Sequence, residues 1–125
     1  MRCSETRETI LLADDEPEIR EVLRDLLISN GYEVITASNG QDALVKFIEN
    51  TDAIELLVTD IVMPERDGIS SYHEMKKFKP GIKVIYMTGF HERIPPAVHA
   101  LRKPFHPLQL LQLVRSVLGT EPADQ

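Results

Sequence analysis

Three acidic residues of this 125-residue sequence come directly after apolar runs of strand length. Asp60 ends the run at residues 56–59, and the pair Asp14 and Asp15 ends the run at residues 9–13. A short apolar run that stops at an acid predicts a buried strand that delivers the carboxylate to its C-terminal end. Taken alone, Asp60 is either a reactive group or an N-cap at the start of a loop.

Two further polar residues follow later apolar runs, Thr88 after residues 83–87 and Lys103 shortly after residues 97–101. Parallel strands share one direction, so the residues that follow them gather at one edge of the sheet. Three carboxylates in one crevice repel each other, and a hard divalent cation with oxygen ligands compensates their charge. We therefore expect Mg²⁺ at a site formed by four residues, Asp14 (through water), Asp15, Asp60 and the backbone carbonyl of Val62.

An acid, a metal ion, an ammonium group and a hydroxyl group are the groups that phosphoryl-transfer sites use. Positioning and charge neutralisation dominate catalysis of this reaction. A carboxylate can itself be the nucleophile and become an acyl phosphate. Asp60 stands alone at the end of the middle strand, so we assign it as the phosphoacceptor. Thr88 and Lys103 are then the hydroxyl donor and the mobile positive charge beside it.

The elements that position these residues alternate along the chain. Strands that are apolar throughout, each followed by a helix, predict a parallel sheet covered on both faces. We therefore predict an α/β fold, a flavodoxin-like doubly wound five-stranded parallel sheet with strand order 2-1-3-4-5. The predicted strands are residues 9–13, 32–37, 56–60, 83–87 and 97–101, and the predicted helices are 17–30, 41–50, 68–78 and 107–118.

Composition and charge exclude several classes of function. Residues 9–119 read as one domain, with a flexible N-terminal tail at 1–8 and a C-terminal tail at 120–125. The net charge of -6 argues against unaided binding to nucleic acid. No stretch approaches the roughly 20 apolar residues of a membrane span, and residues 1–5 have none of the apolar core typical of a signal peptide. The lone Cys3 suits a reducing compartment, so we expect a cytoplasmic protein.

Four motifs together resemble the receiver domain of two-component response regulators, including chemotaxis regulators. They are Leu-Ala-Asp-Asp-Glu at 12–16, Thr-Asp-Ile-Val-Met-Pro-Glu-Arg-Asp-Gly at 59–68, Met-Thr-Gly at 87–89 and Lys-Pro-Phe at 103–105. The resemblance covers roughly residues 9–118. It implies that Asp60 takes a phosphoryl group from a phosphohistidine of a histidine kinase or histidine phosphotransfer protein. It also implies a requirement for Mg²⁺, self-catalysed transfer and hydrolysis without other enzymatic activity, and a cis Lys103–Pro104 peptide bond.

Two other functions fit the same residues less well. Mg²⁺-dependent phosphatases that use an aspartyl nucleophile place a second aspartate two positions later as acid and base, and Val62 occupies that position here. A degenerate receiver would bind proteins without being phosphorylated. The retention of Asp14, Asp15, Asp60, Thr88 and Lys103 argues against that alternative.

The sequence departs from the family pattern at two places. Ala100 stands where the family has an aromatic residue that moves together with the threonine, so the usual signal to the output surface is in doubt. Only 15 positions separate Thr88 from Lys103, and Pro95-Pro96 lies within this interval. Proline disfavours helix at and before its position. We therefore expect the helix between the fourth and fifth strands to be absent, or reduced to about one turn around residues 91–93.

The last helix and the neighbourhood of Asp60 give two further expectations. Leu108 and Leu113 lie outside a narrow apolar stripe of the last helix, either as scattered surface leucines or as a homodimer or partner interface. Val62 and Phe90 flank the expected path of the hydrolytic water. Because two apolar side chains cannot orient a water molecule, we predict slow self-dephosphorylation.

Overall fold

The structure is a computed structural model, and it describes residues 7–89, 94–95 and 98–119. Across these residues five strands alternate with helices. The elements are β1 (Thr9–Ala13), α1 (Pro17–Ser29), β2 (Glu33–Ala37), α2 (Gly40–Glu49), β3 (Ile54–Asp60), α3 (Gly68–Phe78), β4 (Lys83–Thr88), β5 (His99–Arg102) and α4 (Pro107–Leu118). The strands form one parallel sheet in the order β2-β1-β3-β4-β5, which confirms the predicted flavodoxin-like fold.

The sheet is covered on both faces, and successive residues of β1 show this directly. Leu11 is fully buried in the cluster that contains Phe47 of α2 and Met75 of α3. Leu12 is fully buried in the opposite cluster, which contains Leu27 of α1 and residues of α4. Because neighbouring strand residues point to opposite faces, a strand buried on both faces must be apolar throughout. The unbroken apolar runs of the sequence have this origin.

Local capping fixes where the helices begin. The side chain of Asn39 accepts a hydrogen bond from the backbone nitrogen of Asp42 at 2.7 Å, and Asp67 caps α3 in the same way through Ser70 at 2.7 Å. Pro17 occupies the first turn of α1, where its missing N–H costs nothing. Pro17 and Asp67 thus start the helices that follow β1 and β3, the two strands that end at the acidic residues.

Two burial predictions that follow from helical spacing are wrong. The spacing of apolar residues in α1 and α2 predicts that Val22 and Ile48 lie in the core, but they are 54% and 49% exposed. The buried stripe of each helix is narrower than the apolar pattern, because the sheet covers one side only. In α4, Leu113 is partly buried against the core, whereas Leu108 is 50% exposed. Leu108 alone of the two leucines is therefore exposed, and the choice between a scattered surface leucine and a homodimer or partner interface now concerns Leu108.

The connection between β4 and β5 is described at Gly89, Ile94, Pro95 and Val98. None of these four residues is helical, and the short helix predicted around residues 91–93 lies outside the described residues. β5 pairs with β4 in register, with Ile85 opposite His99 and Thr88 opposite Arg102. In the part of the chain that the structure describes, no helix is long and apolar enough to cross a bilayer.

Candidate functional site

Three carboxylates converge at the C-terminal ends of β1 and β3. These strands are neighbours, and Ala13 pairs with Thr59, so the residues that follow them emerge side by side. One ligand oxygen from each of Asp14, Asp15 and Asp60 lies within 4.8 Å of the others. Asp14 and Asp60 are buried, whereas Asp15 is exposed. The structure thus brings together the three acids that the sequence placed at one edge of the sheet.

Hydrogen bonds from neighbouring backbone groups and from one side chain hold Asp14 in place. Its carboxylate accepts a hydrogen bond from the backbone nitrogen of Glu16 at 2.9 Å, and its own backbone nitrogen donates to the carbonyl of Ala37 at 3.1 Å. Its backbone carbonyl accepts a hydrogen bond from the Arg20 guanidinium at 2.7 Å. A fully buried carboxylate needs such partners, because an unpaired charge in the interior is costly.

The loop after Asp60 folds back on the strand that carries it. The backbone nitrogen of Ile61 donates to the carbonyl of Met87 at 3.0 Å, and that of Gly68 donates to the carbonyl of Ile61 at 2.8 Å. Gly68 lies so close to β3 that a Cβ atom there would be 2.1 Å from the backbone oxygen of Asp60. Val62 follows in this loop, and its side chain is 62% exposed.

Lys103 directly follows the edge strand β5, and its side chain extends to the acidic cluster. Its Nζ lies 2.9 Å from Oδ1 of Asp60 and 3.2 Å from Oδ2 of Asp14. A third carboxylate, that of Glu16, lies 3.1 Å from the same nitrogen. The backbone nitrogen of Lys103 donates to the carbonyl of Thr88 at 2.8 Å, which ties the lysine to the end of β4. The Lys103–Pro104 peptide bond is cis, as the family resemblance implied.

Burial and mutual charge shift the pKa values of this cluster. The pKa of Asp60 is raised to about 7: burial is the largest cause, the hydrogen bond and charge of Lys103 oppose the rise, and the hydrogen bond and charge of Asp14 add to it. For Lys103, burial lowers the pKa. The hydrogen bond and charge of Asp60 and the charge of Asp14 raise it by more, so the net shift is upward. One ammonium group therefore does not fully compensate the carboxylates around it.

Thr88 ends β4, one position beyond Met87, the residue that pairs with Asp60. It is buried, and its hydroxyl donates to the carbonyl of Gly89 at 3.2 Å. A cleft of about 210 Å³ opens at this edge of the sheet. The described residues that line it are Asp15, Glu16, Asp60, Val62, Met87, Gly89 and Lys103, and they do not include Thr88. The predicted flanking residue Phe90 lies outside the described residues. The cleft has room for a phosphoryl group and a few water molecules.

The donor set fits a hard divalent cation. Ligand oxygens around an octahedral Mg²⁺ lie up to about 4.2 Å apart, because each Mg–O distance is about 2.1 Å. Oxygens within 4.8 Å of each other therefore need only small side-chain movements, or one bridging water, to share an ion. Asp15 offers a solvent-facing carboxylate at the cleft, and buried Asp14 and Asp60 supply the uncompensated charge.

A second, larger concavity adjoins the cleft, which sequence reasoning did not anticipate. This groove, here called the α1 groove, measures about 600 Å³ and is lined by Glu16, Glu18, Ile19, Val22, Leu23, Lys103, Pro104, Phe105 and Pro107. Glu16 and Lys103 line both concavities. The only hint of this groove that the sequence offered was Val22, which is exposed in the structure. An apolar residue beside the apolar stripe of a helix is ordinarily interpreted as a core residue.

The fold and the site together define a known class of signalling domain. The family model of the response regulator receiver domain matches residues 10–115. The chain belongs to this family. Apart from Thr9 at the start of β1, the five-stranded sheet lies within the matched residues, as do the acidic cluster and the lysine that follows β5.

Relatives of known name cover the chain to different extents. The probable transcriptional regulator ycf27 of Porphyra purpurea is 40% identical over 119 residues, which are 90% of this chain and 48% of that protein. The chain thus spans about half the length of that relative. The response regulator receiver protein CpdR of Brucella abortus is 34% identical over 116 residues, 87% of this chain and 95% of that protein. The crystal structure of response regulator protein TrrA from Thermotoga maritima in complex with Mg²⁺-BeF is 33% identical. Its TM-score is 0.77, and the match covers 88% of this chain and 98% of that one.

Proposed function

We propose that this chain is a phosphoacceptor module of two-component signal transduction in the cytoplasm. Asp60 accepts a phosphoryl group from a phosphohistidine of a histidine kinase or histidine phosphotransfer protein, in a Mg²⁺-dependent reaction. The observation that carries the proposal is the ammonium nitrogen of Lys103 at 2.9 Å from Asp60 Oδ1, beside two further carboxylates. Membership of the receiver family supports the same assignment.

The residues of the site have separate roles in the proposed reaction. A carboxylate oxygen of Asp60 forms the new P–O bond while the P–N bond of the phosphohistidine breaks, and the imidazole nitrogen keeps the electron pair and takes a proton. Lys103 donates to a phosphoryl oxygen, and the Thr88 hydroxyl donates to another. Asp14, Asp15, Asp60 and the carbonyl of Val62 would hold the Mg²⁺ ion, which would supply positive charge for the phosphoryl oxygens.

The α1 groove is the surface on which we place the phosphodonor protein. The groove opens beside the Asp60 cleft, and its wall is largely apolar, with Val22 54% exposed. A helix of the donor could bury its apolar face here and present its phosphohistidine to the neighbouring cleft. Leu108 of α4, 50% exposed, remains a candidate contact for a second copy or another partner.

Val62 argues against catalytic turnover as a phosphatase. It lies two residues after Asp60 and lines the cleft, where an acid–base carboxylate would be needed. A valine can neither protonate a leaving group nor orient water. We therefore propose that the chain carries out its own phosphorylation and a slow hydrolysis, without acting as an enzyme on other substrates.

Incubation with acetyl phosphate and Mg²⁺, followed by intact mass measurement, tests the proposal. Wild type is expected to gain the mass of one phosphoryl group, and Asp60→Asn is expected to gain none. Asp25→Asn, which changes an exposed aspartate of α1 in the same way, is the matched control and should be phosphorylated like wild type. Absence of the adduct in wild type, or its presence in Asp60→Asn, contradicts the assignment of Asp60.

A further inference from the structure

Glu16 contacts Lys103 but is not needed to start its helix. It is the N-cap residue of α1, yet within the described part of the chain its side chain makes no capping hydrogen bond. Its backbone nitrogen instead donates to the carboxylate of Asp14, and its carboxylate reaches Lys103 Nζ at 3.1 Å. The Glu16 side chain is therefore free to serve the site rather than the helix.

The three carboxylates around Lys103 differ in what else they do. An ammonium group has three donors, and Asp60, Asp14 and Glu16 each lie within 3.2 Å of Nζ. Asp14 and Asp60 belong to the cluster that could hold a metal ion, whereas Glu16 does not. A bound cation draws on the charge of Asp14 and Asp60 and repels the ammonium group. Glu16 is then the carboxylate that still attracts Lys103.

We propose that Glu16 is a positioning residue that keeps the Lys103 ammonium group at the mouth of the Asp60 cleft, ready for an incoming phosphoryl group. The inference rests on the proposed phosphoacceptor function. A lysine side chain has four rotatable bonds, and holding it in one rotamer costs entropy. Without Glu16, the ammonium group of a metal-loaded site spends more time in solvent.

The contact is suited to being exchanged. The Glu16 side chain is 58% exposed, compared with 0% for Asp14 and 9% for Asp60. An exposed ion pair is weak, because water solvates both partners when it opens. Lys103 can therefore transfer one donor from Glu16 to a phosphoryl oxygen without leaving a buried charge unpaired.

The first test needs no phosphorylation. In ¹⁵N-detected NMR of the protein at saturating Mg²⁺, the contact with Glu16 should slow hydrogen exchange of the Lys103 ammonium group enough for its signal to be observed. Glu16→Ala is expected to weaken or remove this signal, and Glu16→Gln, which keeps an oxygen acceptor, is expected to retain most of it. Glu21→Ala, an exposed glutamate one turn later in α1, is the matched control. An unchanged signal in Glu16→Ala overturns the proposal.

The second test measures the rate of phosphorylation by acetyl phosphate at saturating Mg²⁺. We expect Glu16→Ala to slow the reaction about two- to fivefold, the range of an exposed ion pair, with Glu16→Gln between it and wild type. Equal rates in Glu16→Ala and Glu21→Ala overturn the inference, as does an increase in both Glu16 variants, which would indicate simple repulsion of the donor. Failure of wild type to react instead overturns the proposed function, so the two failures are distinguishable.

Discussion

Gly68 and Asp60 lie in direct backbone contact, with Gly68 against the carbonyl oxygen of the proposed phosphoacceptor residue. A Cβ at position 68 would also come within 2.9 Å of Thr59 Cγ2, so two strand residues enclose this glycine. The contact holds the start of α3 against the end of β3, and the loop with Val62 is fixed between them. The geometry of the cleft thus depends on a residue that has no side chain.

Gly68→Ala is therefore expected to lower the free energy of unfolding by about 1–3 kcal/mol, because the strand end or the loop must move to admit the methyl group. Urea denaturation followed by circular dichroism measures the change. Gly81→Ala is the control, since a Cβ there meets nothing within 4 Å among the described residues. Equal stability of the two variants would contradict the steric argument.

Asp60→Asn is expected to stabilise the metal-free protein at neutral pH. The folded-state pKa of Asp60, about 7, lies above its ordinary value of 3.8, mainly because of burial. Its contribution to stability is therefore fully present below about pH 4 and is lost as pH rises through about 7. With EDTA present, the variant should exceed wild type by about 1–3 kcal/mol at pH 8 and match it near pH 4.

Urea titrations across this pH range measure that difference. Added Mg²⁺ should reverse it, because the ion stabilises the folded wild type by binding the ionised carboxylates. A pH-independent difference between wild type and Asp60→Asn would show that the Asp60 charge is not the cause.

Lys103→Met removes the positive charge but keeps much of the apolar stem. Phosphorylation by acetyl phosphate should slow by about 10²-fold, since one donor to the transferring group is lost. Binding of Mg²⁺ should tighten, because the ammonium group no longer repels the ion. Isothermal titration calorimetry and intact mass measure the two effects, with exposed Lys77→Met as control. The expected result is a higher affinity for Mg²⁺ together with a lower phosphorylation rate. A loss of both the affinity and the rate would indicate misfolding.

Val62 is expected to make self-dephosphorylation slow. Its exposed side chain stands at the cleft without a group that could orient a water molecule. Val62→Gln, which adds an amide, should therefore shorten the half-life of the phosphorylated form, measured from mass spectra after removal of the donor. Val45→Gln, at an exposed valine of α2, is the control. A half-life of seconds in wild type would count against the prediction.

The sequence predicted the sheet and the site because both follow from strand ends. An apolar run that terminates at an acid gives the position of the strand and of the carboxylate together, as in Asp14 and Asp60. The strand order and the neighbouring β1 and β3 then bring those residues together without further information. Lys103 was found in the same way, from a strand end rather than from its contacts.

The features that the sequence did not predict depend mostly on where side chains point and how exposed they are. Glu16 looked like an ordinary acid before the first turn of a helix, and nothing in its type shows that it faces Lys103 instead of solvent. Val22 and Ile48 have the spacing of core residues, but the sheet covers only one side of each helix. β3 also begins at Ile54, two residues earlier than predicted, because an alternating polar residue, Glu55, interrupts the apolar run.

The two concavities share a wall made of Glu16 and Lys103, and this wall has a consequence for the choice of phosphodonor. A small donor such as acetyl phosphate enters the cleft and leaves the pair in water, where its attraction is screened. A protein donor in the docking position proposed above would cover the pair, lower the local dielectric constant and strengthen the same attraction. Loss of Glu16 should therefore lower the rate of phosphoryl transfer from a protein donor more than the rate of transfer from a small molecule.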